Sequence, residues 1–356
     1  MSTPDMAAFA RAEVAGRDLA AEPDFPHALW RRMGEAGLFR IGLPAAHGGT
    51  GAGAAAIAAA ERDLIGSGGS PGLASCWAGH QMVARHYLAG HGSEAQQARF
   101  LPAMASGTLT AAVAISEPGV GAHPKHLTTE AVRDGDGWVL NGAKSYASNG
   151  AIAGLFVVLA ITTVVEGRKR YSCFLVPRDA PGLTVVAVPT LAAMHPSNYC
   201  GLRLDGVRLP ADALLGPEGT AYETMALPFR DAEDAVSAVG LAATLQLLVQ
   251  AAASAREPAE MASLGELAGL AAVAAVAAMA APAALDSGTL QGTEAQAVLI
   301  GVRQVAGIVV ERVRAMGDVP PRLERLLAGV ELSLSVARGP RQARAERLGA
   351  GIAGRG

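Results

Sequence analysis

The sequence predicts an α+β fold with a helical N-terminal domain, a middle antiparallel β-domain and a C-terminal helical bundle. Three observations predict it. Apolar residues recur at helical spacing through the first part of the chain. Short runs rich in β-branched and aromatic residues follow, each bounded by Gly, Pro, Asp or Asn. Long Ala/Leu/Val stretches, apolar on every face, then occupy the remainder. The expected domains are residues 1–108, 109–218 and 219–356.

Within the first domain, His27 to Gly37 and Gly51 to Gly66 carry the helical spacing, and the turn-rich Gly42 to Gly53 separates them. Glu94 to Ser106 reads as a further helix, interrupted or restarted at Pro102. Strands are expected at Thr110–Ile115, Gly137–Leu140, Leu155–Ile161, Tyr171–Val176 and Leu183–Val188. Asp134-Gly135-Asp136-Gly137 signals a hairpin, and the β-domain should end near Leu209-Pro210. Helices resume from about Tyr222, with turns at Gly288 and Pro320-Pro321 and a Gly-rich, frayed end over Gly349 to Gly356.

Composition narrows the function. A net charge of −3 gives no field that would recruit nucleic acid or an acidic partner. The cysteines Cys76, Cys173 and Cys200 are odd in number and far apart, which argues against disulfides or a metal cluster and for a reducing, cytoplasmic setting. Met1 to Asp18 lacks the apolar core of a signal peptide. Leu267 to Leu285 is uncharged and long enough for a membrane span, but Ala and Gly give it little transfer energy. A buried bundle helix is expected there, without membrane insertion.

A series of short motifs then recurs in one order. They are Leu43-Pro44-Ala45-Ala46-His47-Gly48-Gly49-Thr50-Gly51, Gly92-Ser93-Glu94 through Phe100-Leu101-Pro102 to Ser106-Gly107, and Ser116-Glu117-Pro118-Gly119-Val120-Gly121. Trp138 to Gly150 (WVLNGAKSYASNG) follows, then Phe174-Leu175-Val176-Pro177, Pro181-Gly182-Leu183, Leu204 to Pro210 and Leu214-Leu215-Gly216. Each alone is an ordinary turn or strand end. Together, over about residues 28 to 245, the sequence resembles the acyl-CoA dehydrogenase superfamily.

The resemblance implies FAD between the β-domain and the C-terminal bundle. It implies that Ser116 faces the flavin pyrimidine end, that Tyr146 stands for the Trp that covers one flavin face, and that Ser148 stands for the Thr whose hydroxyl reaches N5. The turn Gly119 to Gly121 would bring backbone N–H groups to the pyrophosphate. It further implies an acyl-CoA or related thioester as substrate, an electron-accepting flavoprotein as partner, and a homodimer, homotetramer or heteromer with a homologous subunit.

The sequence also departs from the family. Gly121-Ala122-His123 stands where Gly-Ser-Asp is usual, and His123, Lys125 and His126 either contact phosphates or are solvated loop residues. Two His without further ligands are weak evidence for a metal, and none is expected. The C-terminal Arg-x-x-Phe-Gly segment and its Gln are missing, and Arg314-Ala315-Met316-Gly317-Asp318 stands where a Gln-x-x-Gly-Gly loop is usual. The half-site offered to a neighbouring subunit's flavin is therefore eroded.

The dehydrogenation base departs furthest. A proton is lost from the α-carbon as hydride leaves the β-carbon, a task for a carboxylate tuned near neutral pH. The family's usual position aligns with Arg338, and a minority position aligns near Arg230. Arginine is no base at neutral pH, though it binds anions bidentately. With a small slip in alignment Asp231 or Glu233 becomes the base, and Glu331 is placed to point toward the same region. Three readings result: an acyl-thioester oxidoreductase acting on CH–CH with a relocated base, a same-fold flavoenzyme of monooxygenase or desulfinase type, and a non-catalytic subunit of a heteromeric assembly.

Overall fold

The computed structural model describes residues 4–188, 192–254, 260–317 and 319–354. Five helices open the chain: α1 (Met6–Glu13), α2 (His27–Glu35), α3 (Ala54–Gly68), α4 (Pro71–Val83) and α5 (Glu94–Ala105). Helix α5 starts at a capping box in which Ser93 and Gln96 satisfy one another's backbone N–H groups. It does not break at Pro102 as the sequence suggested. The proline removes one ladder bond, while Leu101 and Met104 remain fully buried on the packed face.

Eight strands follow: β1 (Ala111–Ala114), β2 (Glu130–Asp134), β3 (Gly137–Ser148), β4 (Leu155–Val165), β5 (Arg168–Pro177), β6 (Leu183–Ala187), β7 (Tyr199–Leu209) and β8 (Leu214–Leu215). They form one sheet in the order β6-β7-β3-β2-β4-β5-β8, with β1 added on β4. The expected hairpin is present, with Asp134 paired to Gly137. The sheet is mixed rather than purely antiparallel, because β1 and β2 both run parallel to β4. The parallel β1–β4 pair is permitted by the long excursion from Ala114 to Leu155, ample for a crossover.

Strand β4 explains its own continuous apolar sequence. Leu155, Val157 and Leu159 join the core shared with the helices. Phe156, Val158 and Ala160 join a second core made within the sheet with Trp138, Phe174 and Leu202. A strand buried on both faces has no solvent side to alternate toward.

Six helices complete the chain: α6 (Leu227–Ala253), α7 (Met261–Ala278), α8 (Ala280–Asp286), α9 (Thr293–Ala315), α10 (Pro321–Ser335) and α11 (Arg338–Ile352). Helix α6 is the axis of this part and is buried along most of its length. The stretch expected as one buried helix, Leu267 to Leu285, is instead divided at Met279 between α7 and α8. Only one face of α7 is covered, by way of Leu264, Leu267, Ala271 and Ala274, while Val276 is 81 % exposed. Small side chains let neighbours approach closely on one face but supply little surface to bury on the other. Three helices, Tyr222–Ala253, Met261–Asp286 and Thr293–Ala315, are long and apolar enough to cross a membrane by length and composition. The first is packed against α3, α7, α9 and α10.

Candidate functional site

A cavity of about 380 Å³ lies where α3, α4, α6 and α10 meet the tip of β7. Its α6 wall is set by helical spacing. Arg230, Glu233, Ser237, Gly240 and Thr244 recur at three- and four-residue intervals and therefore share one face. Pro71, Gly72 and Ser75 of α4 and Tyr199 at the start of β7 also line it. Val336 and Ala337, which link α10 to α11, close another side.

Glu233 faces this space. Its side chain is open to the cavity, yet protein atoms crowd around it. That burial, reinforced by the neighbouring Asp234 carboxylate and only partly offset by the Arg341 guanidinium, lifts its carboxyl to about 7. Asp234, one residue on, behaves in the opposite way. Burial pushes it up, but Arg303 at 2.8 Å, Arg341 at 3.3 Å and Arg344 at 2.6 Å outweigh that and hold it below its usual range. The Nε atoms of Arg303 and Arg341 are buried without a partner.

The β-domain side is locked by a buried ion pair. Lys144 of β3 reaches Glu117 at 3.0 Å and the carbonyl of Ile115 at 3.1 Å. Glu117 also accepts from the Thr128 and Thr129 amides at 2.7 and 2.9 Å. Burial alone would raise the Glu117 carboxyl, but Lys144 and the Thr129 bonds prevail and hold it well below the carboxylate range. The pair fixes the turn from Ser116 to Gly121 against β3, where the Ser145 amide donates to the Ser116 carbonyl at 2.8 Å.

Beyond the lock, β3 bulges. Register shifts between Lys144 and Ala147, and Tyr146 takes φ 56°, a strained value for a residue with a side chain. Its ring is 57 % exposed. Ser148 is exposed next to it and pairs across the ladder with Tyr199, which lines the cavity. Asn149 then anchors the strand end to the helices, donating from its side-chain amide to the Cys76 carbonyl at 2.8 Å. An aromatic ring and a hydroxyl are thus presented, not packed, on a strand whose neighbour contributes Tyr199 to the cavity.

These features suit a planar aromatic cofactor with an anionic tail: Tyr146 for its face, Ser148 and Ser116 for its polar edge, and the exposed Gly119–Gly121 turn with open space on both glycines. The turn is partly closed on itself, because the Val120 and Gly121 amides both donate to the Glu117 carbonyl. Those two N–H groups, expected to meet a pyrophosphate, are engaged within the loop. His123, Lys125 and His126 are all exposed, and the described residues contain no cluster of His, Cys, Asp and Glu suited to a metal ion.

The base candidates separate clearly. Arg230 and Glu233 line the cavity. Asp231 does not; it accepts from Gln291 at 2.8 Å and lies 3.4 Å from Arg230 and Arg344. Arg338 is exposed at the start of α11, and Arg341, one turn later, is the arginine that reaches the cavity. Glu331 pairs with Arg314 at 2.6 Å on the surface rather than pointing into the cavity. Arg314 also holds Glu324 at 3.0 Å, so the residue standing in for the family's flavin-loop Gln is engaged within its own chain. Asp318 lies outside the described residues. Sequence reasoning missed Glu61, Tyr199 and the arginines around Asp234. Glu61 was findable, since Ile57, Ala58, Leu64 and Ile65 at helical spacing put it on the apolar face of α3.

Comparisons with known proteins bear on the family and the fold. Residues 4–108 match the acyl-CoA dehydrogenase N-terminal domain, and residues 112–207 match the acyl-CoA dehydrogenase middle domain. An acyl-CoA dehydrogenase of Bacillus subtilis is 30 % identical over 216 residues, 60 % of this chain and 56 % of that protein. The match thus spans about half the length of that curated relative. Among solved structures, a probable acyl-CoA dehydrogenase from Mycobacterium abscessus superposes with TM-score 0.84 at 25 % identity, covering 98 % of this chain and 96 % of that one. Butyryl-CoA dehydrogenase from Megasphaera elsdenii superposes with TM-score 0.83 at 18 % identity, covering 99 % of each, and shares the fold.

Proposed function

Because the chain belongs to the acyl-CoA dehydrogenase superfamily, we propose that it is an FAD-dependent oxidoreductase acting on the CH–CH group of an acyl thioester, with Glu233 as the base. The observation that carries this reading is a cavity-facing carboxyl raised to about 7, in the same cavity as Tyr199, which pairs with Ser148. A base with that pKa is half ionised at neutral pH and accepts a proton as strongly as a carboxylate in water cannot.

Each residue has a distinct role. Ser116, Tyr146, Ser148 and the Gly119–Gly121 turn hold FAD, which when bound supplies the hydride acceptor. The Glu117–Lys144 pair keeps that turn in place. Asp234 gathers Arg303, Arg341 and Arg344 beside Glu233, so that Arg341 tempers the rise in the Glu233 pKa. Arg230, on the same α6 face, orients a polar part of the thioester. Electrons then pass to a soluble electron-accepting flavoprotein. The protein acts in the cytoplasm, a reading supported by three free, buried cysteines.

The test is direct. The purified chain should carry FAD, and anaerobic addition of acyl-CoA thioesters should bleach its visible absorption. Glu233→Gln should keep the flavin and lose the bleaching. A second reading, a subunit that acts only beside a homologous one, is favoured by the engagement of Arg314 with Glu324 and Glu331. Absence of flavin from the chain alone, with recovery when a homologous subunit is added, would replace the first reading by the second.

A further inference from the structure

A cavity meant for a plain hydrocarbon chain needs no carboxyl beyond the base, yet an unpartnered one is present on α3. Glu61 of α3 lines the same cavity as Glu233 and is only 5 % exposed. Its Oε2 has no hydrogen-bond partner. Its neighbours on that face of α3 are Ile57, Ala58, Leu64 and Ile65, all buried and apolar. Gly240 of α6 makes room for it, since a Cβ there would lie 2.5 Å from Glu61 Oε1. Space has been left for a polar group that the protein does not satisfy, a costly arrangement for a buried carboxyl on an apolar helix face.

Nothing else in the wall supplies the missing partner. Thr244, one turn beyond Gly240, donates its hydroxyl to the Gly240 carbonyl at 2.8 Å. The charged groups on the other walls are matched elsewhere: Arg17 with Glu22 at 2.7 Å, Arg325 with Asp18 at 2.5 Å, and Arg303 and Arg341 with Asp234. Arg322 of α10 also lines the cavity but is no bonded partner of Glu61. Burial pushes the Glu61 carboxyl up to about 8, so at neutral pH it is the uncharged acid, carrying one O–H donor and remaining acceptor capacity.

Glu233 and Gly240 are seven residues apart on α6 and share one face. That separation is about 10 Å along the helix axis. A staggered chain covers it in on the order of eight bonds. Resting on the acyl-thioester reading above, we infer that the acyl chain of the substrate carries a hydroxyl group on the order of eight bonds beyond the carbons facing Glu233, and that Glu61 binds this hydroxyl. A hydroxyl both gives and takes a hydrogen bond and so matches a protonated carboxyl on both counts. An ammonium or a carboxylate would instead bring a further charge beside a carboxyl that burial already keeps neutral.

Binding of unreactive coenzyme A thioethers to the flavin-loaded protein tests the inference by calorimetry. One series carries an alkyl chain, and a matched series carries a hydroxyl stepped along that chain. Wild-type protein should bind one hydroxylated position about tenfold or more tighter than the plain chain. Glu61→Leu should reduce that preference to about unity while leaving plain-chain binding intact or improved, and Glu61→Gln should retain part of it. A preference that is absent at every position in wild-type protein, or that survives in Glu61→Leu, overturns the inference and leaves the dehydrogenase reading standing. If neither series binds, the acyl-thioester reading fails and this inference falls with it. Should Glu61→Leu not fold, the wild-type comparison of the two series decides.

Discussion

The two walls of the site differ in the carboxyls they leave without a bonded cation. On the β-domain side, Lys144 and Glu117 are buried together, and each has further partners in Ile115, Thr128 and Thr129. On the helical side Asp234 is matched in the same way by Arg303, Arg341 and Arg344, whereas cavity-facing Glu233 and buried Glu61 have no bonded cation, and both carboxyls are raised. A satisfied buried pair fixes geometry and offers nothing to a ligand. An unsatisfied carboxyl is available for a proton or a hydrogen bond that only a ligand completes. The β side therefore positions, and the helical side reacts and selects.

The largest expected effect breaks the reactive half of that contrast. Glu233→Gln should lower the flavin-reduction rate by roughly 10²–10⁴-fold, measured by anaerobic stopped flow, with flavin content unchanged. Wild-type reduction should rise with pH through an inflection near 7 that the variant lacks. A variant as fast as wild type would remove Glu233 from the chemistry.

Next in size is the positioning half. Lys144→Met leaves Glu117 buried without its cation and should cost about 3–5 kcal/mol in denaturant unfolding. Flavin affinity should fall with it, because the Ser116–Gly121 turn loses its tether. If stability drops and flavin affinity does not, the pair is structural only.

A smaller effect lies in the pH dependence of stability. Burial raises the Glu61 carboxyl to about 8 in the folded protein, from its ordinary value of 4.5. Its contribution is therefore fully present below about 4.5 and is lost as pH rises through about 8. Thermal unfolding between pH 5 and 9 should show that loss in wild-type protein and a flatter profile in Glu61→Gln, measured in buffers spanning this range. Identical profiles would mean that Glu61 gains a partner in solution. The smallest effect sharpens the contrast by omission. Asp231→Asn, away from the cavity, should change stability by less than about 1 kcal/mol and leave reduction kinetics unaltered.

Much of this was legible in the sequence. The order of helices, strands and helices follows from local periodicity, and the strand β4 announced itself through seven successive apolar residues from Leu155 to Ile161. Strand β7 did not, because Arg203, Asp205 and Arg208 face outward between buried Leu202, Leu204 and Val207 and dilute the signal. Strand β2 buries only Ala131 and gives almost none. In the site, Tyr146 and Ser148 were readable because their motif is continuous in sequence. The cavity wall was not, since it combines α3, α4, α6 and α10 with β7. Arg338 and Arg341 could not be told apart because the left-handed turn at Ala337 sets where α11 begins, and no residue type announces that turn.

The double burial of β4 has a consequence for synthesis. Its residues Leu155, Val157 and Leu159 join a core of helices made both before and after it, while Phe156 and Val158 join a core of strands on either side of it in the chain. As the chain leaves the ribosome, the N-terminal helices α3 and α4 must wait for α6 before that core is covered, and β4 must wait for β5 and β7 before its second face is. A truncation on either side of this strand would leave one of its faces in water, so the gene product is expected to tolerate cuts at its ends far better than any division through its middle.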